Sequence, residues 1–172
     1  MKISVIVTTY NRPDALKKVI QGLLSQTQLP CEIIIADDGS SKETMHLINE
    51  LATSSILCPV IHVWQEDKGF RAARIRNFAI KKSTGEYIVS LDGDCIPDKY
   101  FIEDHLKLAK PGFFKKDLYS VNGFNQDFIG WGREDSELAI RLYNLGLQRR
   151  EHPFMDINSN LWHVKMTGYA CI

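Results

Sequence analysis

The stretch Glu86-Tyr87-Ile88-Val89-Ser90-Leu91-Asp92-Gly93-Asp94 decides the fold class of this chain. An apolar run of strand length, rich in β-favouring residues, stops at two carboxylates that flank a glycine. In open α/β sheets, ligands bind where the strands emerge at their carboxyl ends, so the acidic pair falls on the binding edge. The glycine lets the backbone come close to a ligand, and carboxylates are the hard oxygen donors that divalent cations prefer. Asp92 and Asp94 are therefore candidates for a metal and diphosphate site, although Asp-Gly-Asp is also an ordinary turn sequence.

Upstream, the same unit repeats. Met1 to Val7 reads as a first strand, followed by the polar turn Thr8-Thr9-Tyr10-Asn11-Arg12-Pro13-Asp14. In that turn Asn11 is placed to cap a helix, Pro13 suits its first turn and Asp14 complements its dipole. Ala15, Leu16, Val19, Ile20, Leu23 and Leu24 recur at helical spacing. Glu32 to Ala36 is a second strand, Asp37-Asp38-Gly39 a second polar turn, and Ser40 to Glu43 has capping-box spacing for a helix through Leu51. Pro59 to Trp64 gives a third strand, and Lys68-Gly69-Phe70 opens a basic helix carrying Arg71, Arg74, Arg76 and Lys81. Alternating strands and helices predict an α/β fold with a mostly parallel sheet flanked by helices. The turns Thr8-Tyr10, Asp37-Asp38 and Asp92-Asp94 should then converge at one edge as a nucleotide pocket. Neither G-x-G-x-x-G nor G-x-x-x-x-G-K-[ST] is present, so a bound diphosphate would be neutralised by a metal on Asp94 and by arginines such as Arg71 or Arg76.

Downstream, Pro97 to Ala109 reads as a helix. Gly130-Trp131-Gly132-Arg133-Glu134-Asp135 presents an indole between glycines and leads into a helix whose inward face should be Leu138, Ile140, Leu142 and Leu145. Glu134 and Asp135 fit the favourable first-turn position for acidic residues, and equally a general base toward a sugar hydroxyl resting on Trp131. Asn160 to Val164 reads as extended. His163 there is either a strand-end imidazole bonded to the backbone or a ligand that completes a metal site with Asp94. His46, His62, His105 and His152 read as structural or solvated, and Trp64, Trp131 and Trp162 could all belong to the core.

The 172 residues suit one domain with a real core. The 21 basic and 21 acidic side chains cancel, which argues against a general electrostatic grip on nucleic acid or anionic lipid. Cys31, Cys58, Cys95 and Cys171 form no C-x-x-C pair, so reduced thiols are expected rather than a zinc cage or disulfide framework. Together with the short first apolar run, this sets the expectation of a cytoplasmic protein, any membrane association being peripheral and at the inner face.

Five stretches in order resemble the family-2 glycosyltransferases of the A-type fold: Val5 to Asn11, Ala36-Asp37-Asp38-Gly39-Ser40, Gly69 to Asn77, Asp92-Gly93-Asp94, and Gly130 to Asp135. The last is similar to the carboxy-terminal region of β-1,4-galactosyltransferases, shared with bacterial chondroitin-type polymerases. Each motif is modest alone, but five in this order are specific. The resemblance implies an inverting transfer of a hexose or N-acetylhexosamine from a UDP-sugar donor, with Mn²⁺ or Mg²⁺, to a carbohydrate or glycolipid acceptor in surface polysaccharide synthesis. By resemblance, Thr8, Tyr10 and Asp38 hold the nucleobase and ribose, and Arg71 or Arg76 assists nucleotide binding. Asp92 sits at the ribose or a metal-bound water, while Asp94 and His163 ligate the metal. Asp135 is the catalytic base, Glu134 grips the acceptor sugar and Trp131 stacks on it.

Residues 1–110 would form the nucleotide-sugar half and 111–172 the acceptor-binding and catalytic half of one domain. Relatives carry a long stretch where Pro111-Gly112-Phe113-Phe114 stands here, so either the enzyme is shortened or the sequence omits a loop near Gly112 and Phe113. A sugar-nucleotide nucleotidyltransferase is a rival reading, but it would show a glycine-rich basic first loop, which Thr8-Thr9-Tyr10-Asn11 is not. A catalytically silent carbohydrate-binding module is a third, against which Asp94, Asp135 and His163 weigh.

Overall fold

The computed structural model describes residues 1–109, 115–130, 132–147 and 169–171. Four strands, β1 (Ile3–Thr9), β2 (Glu32–Asp37), β3 (Val60–Trp64) and β4 (Tyr87–Asp92), pair in parallel in the order β3-β2-β1-β4. The intervening helices are α1 (Pro13–Leu24), α2 (Lys42–Ser54) and α3 (Ala72–Lys82). After β4 come β5 (Cys95–Pro97), α4 (Phe101–Leu108), α5 (Lys115–Ser120), α6 (Glu134–Asn144) and β6 (Tyr169–Cys171), with β5 and β6 antiparallel. The α/β class expected from the alternating pattern is the one observed.

Successive side chains of a strand point to opposite faces, and here each face is covered by helices. Ile3, Val5, Val7, Ile33 and Ile35 face one layer, built on Leu16, Val19, Ile20 and Leu23 of α1, Ile48 of α2 and Ile102 of α4. Ile6, Ile34 and Ala36 face the other, built on Ala73, Ile75, Ala79 and Ile80 of α3 with Phe124 and Leu138. Each fully buried Ile or Leu contributes about 1.5–3 kcal/mol, so this two-sided burial is the main driving force for the sheet. Among the described residues no helix is long and apolar enough to cross a membrane.

The chain runs β1, β2, β3 outward on one side of β1 and then returns to β4 on the other. The strand order therefore reverses between β1 and β4, where Thr8 and Asp92 are register partners. The turn after β4 lies tight against β1, with the Gly93 amide donating to the Thr8 carbonyl at 2.8 Å. A Cβ on Gly93 would stand 2.7 Å from that oxygen, so only glycine permits this approach.

Several local expectations are corrected. Asn11 does not cap α1. Arg12 holds the N-cap position, while Asn11 (φ 49°) donates its amide to Ser40 Oγ (2.9 Å) and accepts at Oδ1 from the Ser41 amide (2.8 Å). With Ser40 taken up in this way, the Ser40–Glu43 capping box does not form, and α2 starts at Lys42. Polar turn residues have bonded across to another turn instead of to their own helix. Pro97 belongs to a strand, and its helix starts only at Phe101. On α6, Leu138 is buried, but Ile140 is exposed because positions two apart cannot share one helical face, and Leu145 is exposed because it is the C-cap, past the end of the helix. Trp64 is also exposed. Of the cysteines, Cys31 and Cys58 are free thiols, whereas Cys95 is disulfide-bonded. The scatter of cysteines along the sequence hides which ones the fold brings together. Trp162 and the extended segment expected at Asn160–Val164 lie outside the described residues.

At the opposite end of the sheet, buried Glu32 accepts from Ser4 Oγ (2.5 Å), the Thr84 amide (2.5 Å) and Thr84 Oγ1 (3.0 Å). Burial alone would push its carboxyl up, but the bonds from Ser4 and Thr84 outweigh it and hold the group below its usual value. The charged form is thus favoured by folding, and its stabilising contribution is present above about pH 4.5 and lost as pH falls through the depressed folded value. Urea denaturation as a function of pH should show stability falling in that window, and Glu32→Gln should flatten the fall while costing about 1–3 kcal/mol at neutral pH. Gly93→Ala should cost about 1–3 kcal/mol in the same measurement, because the Asp92–Asp94 turn must move away from β1.

Candidate functional site

A cavity of about 230 Å³ opens at the reversal point between β1 and β4. Thr8, Thr9 and Tyr10 from the turn after β1, Asp38 from the turn after β2, and Asp92, Gly93 and Asp94 from the turn after β4 line it. The three polar turns of the sequence therefore meet, as strand ends of one parallel sheet must. Across the cavity stand Glu134 and Asp135 from the first turn of α6, with Phe70, Ala72 and Arg76 between.

The end of β1 organises the acidic turns. Its Thr8 carbonyl takes the Gly93 amide and its Thr9 carbonyl takes the Asp38 amide (3.0 Å). Asp38 is 3% exposed and accepts from Gln65 Nε2 and from the Arg71 amide (2.7 Å). Its carboxylate is thus held in one orientation at the cavity floor. The turn bearing it is fixed from behind by Asp37, which accepts from the Ser40 amide (2.8 Å) and bonds His62 Nε2 (2.9 Å). His62 is accordingly structural. Tyr10 sits half exposed at the lip and donates its hydroxyl to Asp67 (2.9 Å), whose carboxylate raises the phenol above its usual value.

Arg76 occupies the middle of the wall. Its Nε donates to Thr8 Oγ1 (3.1 Å), and its Nη1 donates to both Glu134 Oε1 and Asp135 Oδ1 (3.1 Å each). Nη2 reaches Asp92 Oδ1 at 3.5 Å. The Phe124 ring covers the guanidinium carbon at 5.4 Å. Arg71, the other arginine expected here, does not line the cavity, and its Nη2 donates to the Glu66 carbonyl. A residue the sequence reading missed is Arg12, which lines the cavity and pairs with Asp94 Oδ2 at 2.8 Å. Nothing in its local sequence marks it except its place in the turn after β1.

Five carboxylates (Asp38, Asp92, Asp94, Glu134, Asp135) face two guanidiniums (Arg12, Arg76), a formal excess of three negative charges. A free diphosphate would be repelled from such a cavity, whereas a divalent cation would be attracted, alone or with a diphosphate. Among the described residues no group of three or more His, Cys, Asp or Glu converges as a complete metal cage. The donor chemistry nevertheless fits Mg²⁺ or Mn²⁺, which take few protein carboxylates and fill their remaining positions with substrate phosphate and water. Asp94, with a third of its side chain exposed, and the more exposed Asp92 are the carboxylates placed to hold it. Two buried oxygens of cavity residues, Thr9 Oγ1 and Glu134 Oε2, have no hydrogen-bond partner among the described residues. Trp131 and His163 lie outside the described residues.

The model of glycosyl transferase family 2 matches residues 4–168. The chain is 33% identical over 129 residues to the UDP-Glc:alpha-D-GlcNAc-diphosphoundecaprenol beta-1,3-glucosyltransferase WfaP of Escherichia coli, covering 74% of this chain and 48% of that protein. It is 31% identical over 105 residues to the hyaluronan synthase of Pasteurella multocida, covering 60% and 10%. The chain thus spans half or less of the length of these relatives. Among solved structures it superposes on the mannosyltransferase of Pyrobaculum calidifontis in complex with GDP-Man and Mn²⁺ with a TM-score of 0.73 at 22% identity, over 86% of this chain and 53% of that one. The S. aureus TarS 1–349 complex with UDP gives 0.70 at 17% identity, over 83% and 55%. These neighbours establish the A-type glycosyltransferase fold, and with the family match they lead to one conclusion: the chain belongs to glycosyl transferase family 2.

Proposed function

We propose that the chain is the catalytic part of a metal-dependent, inverting glycosyltransferase. It moves a hexose or N-acetylhexosamine from a UDP-sugar to a carbohydrate or glycolipid acceptor in polysaccharide synthesis. The observation that carries the reading is an anionic cavity lined by Asp92 and Asp94 on the sheet side and by Glu134 and Asp135 on the helix side. Supporting it are the UDP-Glc donor and diphosphoundecaprenol acceptor in the name of the Escherichia coli relative, and the UDP and Mn²⁺ of the two structural neighbours.

In this reading Tyr10 and Asp38 receive the nucleoside and Asp94, with Asp92 beside it, faces the diphosphate. Inverting transfer is one in-line displacement. The acceptor hydroxyl oxygen bonds to the anomeric carbon, the bond from that carbon to the diphosphate oxygen breaks with its electron pair, and the hydroxyl proton goes to Asp135. Asp135 suits the task because it lines the cavity with its side chain 63% exposed while α6 fixes its backbone. The buried, unpartnered Glu134 Oε2 is an acceptor for a second hydroxyl of the incoming sugar. Asp94, with Asp92 beside it, would hold a divalent cation, which would supply Lewis-acid stabilisation of the leaving diphosphate.

A panel of sugar nucleotides assayed with Mn²⁺ and again with a chelator tests this. One UDP-sugar should be turned over only with the metal, and equal turnover in chelator would overturn the reading. Asp135→Asn should lower kcat by about 10²–10⁴-fold without loss of thermal stability. Asp94→Ala should abolish the metal dependence of UDP binding in calorimetry, again with the fold intact.

A further inference from the structure

Arg76 was expected, from sequence, among the residues that meet the nucleotide. Its surroundings point elsewhere. The side chain is only 10% exposed, and a guanidinium has five N–H donors in a fixed fork. One is spent on Thr8 Oγ1, two on Glu134 Oε1 and Asp135 Oδ1, and a fourth is drawn toward Asp92. Three carboxylates thus surround one positive charge, and an aromatic ring covers it. A phosphate approaching this group would meet a net negative cluster with at most one donor left over.

The partners of Arg76 come from three elements, of which the sheet ladder holds only two in register. Thr8 and Asp92 are paired residues at the ends of β1 and β4, whereas Glu134 and Asp135 open a helix 58 and 59 residues beyond Arg76 in the chain. That helix is entered through Gly132 and Arg133, both with left-handed φ (96° and 71°), a connection whose direction must be fixed from outside. We infer that Arg76 is a positioning residue for the acid pair, tying the first turn of α6 to the sheet edge so that Asp135 stands at a fixed distance from the donor, and that it is not a phosphate ligand. This rests on the glycosyltransferase reading above. Lysine keeps the charge but cannot donate in three directions from a planar fork, so the arrangement is specific to arginine.

The inference separates turnover from binding. Two variants are compared with the unaltered chain: Arg76→Lys, which keeps a cation beside the buried carboxylate, and Arg76→Gln combined with Glu134→Gln, which removes the buried pair together. Calorimetric titration with UDP in the presence of Mn²⁺ should give, for both variants, an affinity within about threefold of the unaltered chain. For Arg76→Lys, the kcat for the UDP-sugar found by the panel should fall at least tenfold while donor KM stays within about threefold. A parallel tenfold loss of UDP affinity in the two variants would make Arg76 a phosphate ligand and overturn the inference alone. Full kcat in Arg76→Lys would overturn it too. An unaltered chain that bound no UDP would sink the donor reading, and the role of Arg76 with it.

Discussion

One buried cation holds the two halves of this molecule's chemistry together. The Arg76 guanidinium, nine-tenths buried, bonds or pairs with side chains from β1, β4 and α6 at once. Desolvating it is costly and is offset only because the carboxylates of Glu134, Asp135 and Asp92 surround it. Of these carboxylates only Glu134 is itself buried, and removing one partner of its pair with Arg76 costs about 3–5 kcal/mol. The price of the arrangement is an anionic cavity, and that anionic character is what suits the cavity to a cation carrying a diphosphate.

The rest of the structure sets the distances around that charge. The parallel sheet brings the acidic turns to one edge, and the reversal of strand order leaves a crevice between β1 and β4. Gly93 lets the Asp92–Asp94 turn close against Thr8. On the far side, Asn77 of α3 clasps the segment before α6, with Nδ2 donating to the Phe124 carbonyl and Oδ1 accepting from the Phe124 amide, both at 2.8 Å. Adjacent residues of α3 thus hold the helix side twice, Asn77 through backbone and Arg76 through carboxylates. The core packing of Phe124 and Leu138 against Ala73, Ile75, Ala79 and Ile80 stabilises both attachments.

The fold was legible because its signal is local. Ile33 to Ala36 is apolar on both faces, as a strand covered on two sides requires, Tyr87 to Leu91 turns Tyr87, Val89 and Leu91 to the core, and each run ends in a polar turn. The convergence of those turns follows from parallel pairing alone. What was not legible depends on partners distant in sequence. Asn11 and Ser40 looked like helix caps, but once the turns meet they bond each other. Arg12 gave no sign of its pairing with Asp94, 82 residues away. Arg71 and Arg76 were equivalent on paper, but Arg71 falls at the N-cap before α3 and reaches the Glu66 carbonyl, while Arg76 lies on the buried face of the helix. Ile140 was assigned inward by hydrophobicity without regard to helical phase, and Leu145 shares the phase of Leu138 but falls at the C-cap, past the last turn of α6.

Under the proposed function, the excess negative charge of the cavity couples cation and nucleotide, each creating the site for the other. Such coupling is reciprocal by thermodynamic necessity. Electron paramagnetic resonance of Mn²⁺ titrated into the chain, with and without saturating UDP, measures it directly. The expected result is a Mn²⁺ affinity raised at least about tenfold by UDP, and a Mn²⁺ affinity that UDP leaves unchanged would contradict the account.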